Sequence, residues 1–474
     1  MTLFGTAGIR GPVAETVTPA LALAVGQAAG VPGETFVVGR DGRETGEALA
    51  AALEAGLESA GADVERVGQV PTPALAFASQ DRRGVMVTAS HNPPADNGIK
   101  LFVDGVEYDR DAEEMVEELV DDPVQAAWDE WGSSRRTDVL DDYREAVAAF
   151  VRDRFDDDGG DGDERPLEGL SVAVDCGNGV GSLATPQVLE RLGADVVTIN
   201  ATVDGHFPGR PSKPTAETLT EFSAFVDRGS FDLGLAHDGD ADRLVVLDRD
   251  GEVVHEDTIL AIVAAHYVET ATADDPVVVT TPNASARIDE HVREAGGRVE
   301  RVRLGALHEG IARVESAAGI DATADADTDV HRDDRAETAV VFAAEPWKHI
   351  HTAFGGWIDG VTSAAVLSAL THEAGSLAAL REDVSERPYR KVSIDCPEHA
   401  KEPAMAALET TLPAAFEEVS VDTNYGIRLE FPDSSWLLVR PSGTEPYVRL
   451  YAESDDVDEL VADAKAVIER SIDA

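Results

Sequence analysis

Val87-Thr88-Ala89-Ser90-His91-Asn92-Pro93-Pro94-Ala95-Asp96-Asn97-Gly98-Ile99-Lys100 is the stretch whose reading decides the fold. The apolar run Gly84 to Val87 reads as a short buried strand that ends in small polar residues. Pro93 and Pro94 cannot donate to a ladder and hold the loop extended. Asn97-Gly98 reads as a turn before the apolar run resumes at Ile99. A hydroxyl is thus held at the end of a strand, with His91 beside it and Lys100 ten residues on. Such a loop can present a nucleophile or a phosphate carrier. A serine before proline also commonly shapes a turn or caps a helix, so the rest of the chain has to decide.

Outward from this stretch an internal repeat emerges. Strand Phe36 to Asp41, helix Glu44 to Ala60, Gly61-Ala62-Asp63 and strand Val64 to Val67 form one copy. Strand Ser171 to Val174, helix Pro186 to Leu192, Gly193-Ala194-Asp195 and strand Val196 to Ile199 form a second. Strand Val277 to Thr280, helix Ala284 to Ala295, Gly296-Gly297 and strand Val299 to Val302 form a third. Each is a βαβ unit, so three similar α/β domains in tandem are expected. Phe155 to Glu164 reads as a self-repelling linker, and Ile320 to Glu337 as an acidic surface loop. Beyond Lys391 the pattern changes. A strand Lys391 to Asp395 and a helix Ala400 to Phe416 precede strands Gly426 to Phe431, Trp436 to Val439 and Tyr447 to Tyr451, and a closing helix follows. That is a small α+β domain. The expected fold class is α/β: three tandem similar α/β domains with mixed sheets plus a C-terminal α+β domain, bounded at 1–155, 166–256, 257–386 and 387–474.

Composition narrows the class. With 474 residues, roughly three or four domains are expected. No apolar run of about 18 residues could span a bilayer, and Met1 to Gly5 shows no export signal, so a cytoplasmic protein without a membrane partner is expected. Cys176 and Cys396 stand in no metal-ligand spacing. The net charge is −52, and only six lysines occur: Lys100, Lys213, Lys348, Lys391, Lys401 and Lys465. Spread over amphipathic segments, this acid excess reads as the carboxylate-covered surface of a halophilic protein, whose self-repulsion salt screens. It leaves no basic stripe for a nucleic acid.

Asp238-Gly239-Asp240-Ala241-Asp242-Arg243 sets three carboxylates at alternate positions in a turn, where they can converge on a hard cation such as Mg²⁺. An EF-hand is excluded, because Arg243 and Arg249 occupy the positions that need Gly and Glu. Arg243 directly after the third carboxylate argues for a phosphate beside the metal. Arg440-Pro441-Ser442-Gly443-Thr444-Glu445-Pro446 joins two strands, and its guanidinium, hydroxyls and exposed amide suit an oxyanion. Glu345-Pro346-Trp347-Lys348-His349 sets a carboxylate, an ammonium and an imidazole around a rigid step; carboxylates commonly accept sugar hydroxyl protons, and an ion pair on a loop would look the same. Asp175 to Gly181 lacks the G-x-G-x-x-G spacing and reads as a turn.

Taken together, these stretches resemble the α-D-phosphohexomutase family of phosphoglucomutases, phosphomannomutases and phosphoglucosamine mutases. The likeness begins at Phe4-Gly5-Thr6-Ala7-Gly8-Ile9-Arg10-Gly11 and continues through Thr88 to Lys100, Asp238 to Arg243, Glu345 to His349 and Arg440 to Pro446. The resemblance implies a four-domain enzyme with its active site in a central cleft. It implies that Ser90 carries the phosphoryl group and that Asp238, Asp240 and Asp242, with the Ser90 phosphate, hold Mg²⁺. His91, Lys100, Arg10 and Arg243 would flank the reacting phosphate and assist proton transfer. Arg303, Glu345 and His349 would contact the sugar, and Arg440, Ser442, Gly443 and Thr444 the non-reacting phosphate. The implied reaction interconverts hexose 1-phosphate and hexose 6-phosphate of glucose or mannose type, with glucosamine phosphate as the alternative. It passes through a hexose 1,6-bisphosphate, which also serves as activator, in a monomer or weak homodimer. A phosphosugar-binding protein without turnover, or a phosphatase, is the rival from another class. Relatives usually carry Ser-Gly where this chain has Trp347-Lys348, so the sugar loop departs from the family pattern.

Overall fold

The structure, a computed structural model, describes residues 3–5, 8–123, 125–155, 165–318, 338–442 and 445–472. The expected linker (all but Phe155) and the whole of the acidic loop Ile320 to Glu337 lie outside the described residues. The chain falls into two compact units, residues 1–256 with 347–381 and residues 257–346 with 382–474. The strands and helices of the three repeats begin and end within two residues of the sequence pattern.

In the first unit, β1 (Ile9–Pro12), β2 (Thr35–Arg40), β3 (Asp63–Gln69), β4 (Arg83–Val87), β5 (Asp96–Val103), β6 (Val106–Glu107) and β7 (Ser134–Arg136) form one sheet. Its order is β1-β5-β4-β2-β3-β7, with β6 on β5. β2 runs parallel to β3 and β4, whereas β5 is antiparallel to both β4 and β1. The β2 segment Phe36-Val37-Val38 is apolar on both faces because helices cover both, as in other parallel sheets. Two of those helices, Pro19–Ala29 and Gly46–Ser59, cross at Gly26 and Gly56. A Cβ on either glycine would meet the other helix's backbone at 2.3 Å, so only glycine permits this approach.

One expectation fails here. Asn97 and Gly98 do not form a turn but lie inside β5, opposite Gly11 and Arg10 of β1. A Cβ on Gly98 would sit 2.5 Å from both Ile9 O and Thr88 O. The glycine therefore serves close packing of neighbouring backbones, and the chain reverses earlier, across Ser90 to Ala95.

The second sheet comprises β8 (Ser171–Asp175), β9 (Asp195–Ile199), β10 (Leu233–Ala236) and β11 (Val245–Leu247), in the order β11-β10-β8-β9. β8 is parallel to both neighbours, and β11 returns antiparallel on β10. The turn from β10 to β11 carries the three aspartates, at the carboxyl end of a parallel pair where α/β sheets commonly place ligands.

In the second unit, Asp275–Thr280 lies parallel between Arg298–Arg301 and Thr338–Glu345. A separate antiparallel sheet runs Tyr389–Asp395, Tyr447–Glu453, Trp436–Pro441, Ile427–Glu430, Ser420–Asp422. Leu408, Val467 and Ile468 from its helices pack on Leu429, Leu437, Val439 and Leu450. The helix expected over Ala400 to Phe416 stops at Thr411, because Pro413 lacks an N–H and opens a 3₁₀ turn instead. The edge strand Ser420–Asp422 carries too short an apolar pattern to have been foreseen. No helix among the described residues is long and apolar enough to cross a membrane.

Candidate active site

Ser90 follows β4 in a left-handed conformation, φ 49°, which a non-glycine residue holds only with support. The support is Arg43. Its guanidinium donates to the carbonyls of Ser90 at 3.0 Å, Asn92 at 2.7 Å, Pro93 at 2.6 Å and Asp96 at 2.9 Å. Arg43 is itself aligned by Asp41, whose carboxylate takes its Nε at 3.1 Å and the Thr88 hydroxyl at 2.8 Å. Burial pushes Asp41 up to about 6 against the pull of Arg43. Thr88 Oγ1 also accepts from Ser90 N, which completes a rigid cradle. From it Ser90 Oγ donates to Asp238 Oδ2 at 2.6 Å, and His91 Nδ1 lies 3.2 Å from the same hydroxyl.

Asp238, Asp240 and Asp242 are fully buried, and one oxygen from each lies within 4.8 Å of the others. Oδ1 of every one of them has no hydrogen-bond partner among the described residues. Three inward carboxylates with orphaned oxygens match the hard-oxygen donor set of a divalent cation. Their remaining oxygens are committed: Asp240 Oδ2 to the Thr72 hydroxyl at 2.6 Å, Asp242 Oδ2 to Lys100 Nζ at 3.2 Å. Arg243 Nε stands 3.6 Å from Asp238 Oδ2 and 3.8 Å from Asp242 Oδ1. His237 secures the loop from below. Its Nδ1 lies 2.8 Å from Arg243 O, and a carbonyl only accepts, so Nδ1–H donates there while Nε2 accepts from the Thr185 hydroxyl. Burial lowers His237 to about 4 and keeps it neutral, as that tautomer requires.

The electrostatics follow from burial. Desolvation, then the charges of Asp242 and Asp240, raise Asp238 well above a usual carboxylate. Burial would raise Asp242 as well, but Lys100, Lys348, Arg243 and Arg10 overcome it and hold the group far below the usual range. Burial and the neighbouring Arg243 and Arg10 lower His91 to about 3, so its imidazole is neutral at physiological pH. Burial opposes the charge on Lys100, yet Glu107 and Asp242 keep its ammonium above the ordinary lysine range. Arg10, on β1, has Nε and Nη2 buried without a hydrogen-bond partner among the described residues.

Within this unit Lys348 lies 4.0 Å from Asp242 Oδ2. His349 is buried rather than open to a loop. Its Nδ1 lies 3.1 Å from Ser363 Oγ, which also meets His351 Nε2 at 2.9 Å, and burial lowers His349 to about 4. In the second unit Glu345 ends its strand, and Oε2 accepts from Gly305 N at 3.3 Å. Arg303 is exposed and pairs with Glu309 at 2.7 Å. Arg440 donates to the Tyr451 hydroxyl at 3.1 Å, and its Nε is buried without a partner among the described residues. Ser442 is buried, and its carbonyl accepts from Lys401 Nζ at 2.7 Å. Gly443 and Thr444 lie outside the described residues.

The structure therefore brings Arg10, Ser90, His91, Lys100, Asp238, Asp240, Asp242, Arg243 and Lys348 into one unit, and Arg303, Glu345, Arg440 and Ser442 into the other. Sequence reasoning missed Asp41, Arg43, Thr72, His237 and Lys401. Asp41-Gly42-Arg43 directly after a parallel strand carried a usable signal; the other three act through contacts far away in sequence.

The chain is similar to known proteins along nearly its whole length. Residues 1–126 match the model of phosphoglucomutase/phosphomannomutase alpha/beta/alpha domain I, 159–251 that of domain II, and 395–470 that of the C-terminal domain. The chain is similar to a phosphopentomutase of Thermococcus kodakarensis, 39% identical over 100% of this chain and 99% of the relative. It is also similar to a probable phosphoglucosamine mutase of Methanopyrus kandleri, 39% identical over 95% of this chain and 94% of the relative. A solved phosphoglucomutase/phosphomannomutase family protein of Burkholderia thailandensis superposes with TM-score 0.81 at 26% identity, over 99% of this chain and 96% of that one.

Proposed function

Because the chain belongs to the phosphoglucomutase/phosphomannomutase family and is a phosphomutase, we propose that it moves a phosphoryl group between the anomeric and primary hydroxyls of a sugar by way of phospho-Ser90. The observation that carries this reading is the Ser90 hydroxyl, 2.6 Å from a carboxylate of the three-aspartate cluster. In the forward half, the P–O bond to Ser90 breaks as a P–O bond to the sugar hydroxyl forms. The hydroxyl proton passes through neutral His91 to the departing Ser90 Oγ, and a sugar bisphosphate results. In the second half, the P–O bond to the other sugar oxygen breaks as Ser90 Oγ takes that phosphoryl group, and the Ser90 proton returns through the same imidazole to the sugar oxygen released. A phosphoserine brings about −1.5 to −2 charge beside three aspartates. Asp238, Asp240 and Asp242 would hold Mg²⁺, which when bound supplies charge stabilisation to the transferring phosphoryl group. Arg10, Lys100 and Arg243 share that task as fixed cations.

Arg440, Ser442, Gly443 and Thr444 grip the phosphate that is not reacting, while Glu345 and Arg303 form the sugar side. The burial of His349 against Ser363 makes it a support for that loop more than a direct contact. Glucosamine phosphate stands ahead of the glucose and mannose phosphates in this reading, supported by the Methanopyrus relative. A pentose phosphate is the second reading. It is favoured by the Thermococcus relative. Four domains, a cytoplasmic setting, a monomer or weak homodimer and a salt-adapted surface complete the proposal; the last rests on the net charge of −52.

The test uses sugar bisphosphates labelled in one phosphate, in high salt, with glucose, mannose, glucosamine and ribose 1-phosphates as acceptors. Label is expected on Ser90 in the wild type, none in Ser90→Ala, and turnover highest with glucosamine 1-phosphate. Label on the wild-type protein at a residue other than Ser90, or inorganic phosphate as the main product, would sink the mutase mechanism.

A further inference from the structure

The segment after Pro346 makes a left-handed turn at Trp347, φ 68°. That turn is tied to the metal loop, because Leu244 N donates to Trp347 O at 3.0 Å. It sends the Trp347 indole into the apolar cluster of the second sheet and turns Lys348 toward the aspartates. Lys348 is only 8% exposed, with Nζ 4.0 Å from Asp242 Oδ2. The same oxygen receives Lys100 at 3.2 Å. Two of the chain's six lysines thus converge on one oxygen, while Oδ1 of that carboxylate stays without a hydrogen bond. The Lys348 ammonium therefore stands within charge-pairing distance of the acidic cluster.

We propose that Lys348 is a charge-setting residue of the three-aspartate cluster: its ammonium holds Asp242 in place without a metal and weakens divalent-ion binding by like-charge opposition. The inference rests on the reading of Asp238, Asp240 and Asp242 as the cation site. Looser binding lets the cation exchange readily, and the resident ammonium keeps three buried carboxylates from repelling one another in its absence. Lys348 is here a positioning residue, acting through Asp242.

The test measures Mn²⁺ binding to the full, dephosphorylated chain in high salt by electron paramagnetic resonance, for wild type, Lys348→Met, Lys348→Gln and Asp240→Asn. Removing a like charge next to a ligand is expected to tighten Mn²⁺ about tenfold in Lys348→Met and Lys348→Gln. A merely structural role would loosen binding instead, so unchanged or weaker binding in a folded variant overturns the proposal. Circular dichroism decides folding, and failure of both variants to fold overturns it as well. If wild type and Asp240→Asn bind Mn²⁺ equally, the metal-site reading itself fails, which is a distinguishable result.

Discussion

Replacing Arg43 with methionine should disable the enzyme without touching any group assigned to chemistry. The guanidinium satisfies four carbonyls between Ser90 and Asp96 and pairs with the buried Asp41 carboxylate. Charge-assisted hydrogen bonds contribute about 1.5–3 kcal/mol each, but a loop can recover some with water once it relaxes. Removing one partner of a buried pair costs about 3–5 kcal/mol, and that range is our expectation for Arg43→Met. The left-handed Ser90 then loses its brace, and a shift of about 1 Å at its hydroxyl should lower kcat roughly 100-fold. KM should change far less, because Arg440, to which we assign the grip on the other phosphate, lies in the other unit. Arg43→Lys keeps the charge but has three donors on one nitrogen, so it should fall between the two. Steady-state kinetics in high salt and hydrogen exchange of the amides in 88–98 provide the assay. A variant with wild-type kcat and unchanged exchange in that segment would refute the idea that Arg43 orders the serine loop.

Acid should weaken the fold through its buried histidines. Burial holds His237 near 4 when folded, against about 6.5 unfolded, so its contribution is fully present above about 6.5 and is lost as pH falls toward 4. Between pH 7 and 4.5 the wild type should therefore lose about 2.4 kcal/mol more stability than His237→Gln. Asp41, raised to about 6, works the other way over its own range, which is why the comparison uses the variant and not the total slope. Equal slopes in denaturant titrations would contradict the neutral tautomer assigned to His237. Desalting should unfold the chain, because a net charge of −52 then repels itself unscreened; an unchanged circular dichroism spectrum in low salt would count against the salt-adapted surface.

The repeats, the serine loop and the aspartate turn were legible in the chain because each is a local pattern. Short apolar runs mark strands, glycine-rich steps mark turns, and the three carboxylates at every second position fall within one six-residue turn. Their geometry was not legible. Asn97-Gly98 has the sequence of a turn, yet Gly98 is extended in β5, since neighbouring backbones close on it from Ile9 and Thr88. His349 sits beside a polar motif, yet burial against Ser363, a helix away, takes it out of solvent. Lys348 had no partner assigned until the turn at Trp347 aimed it at Asp242, 106 residues earlier in the chain. By itself the sequence determined which groups exist and which strand end or turn bears each. Only the tertiary structure decided which of them meet. Burial and charge pairing depend on what surrounds a residue in space, and neighbours so distant along the chain leave no local periodicity to read.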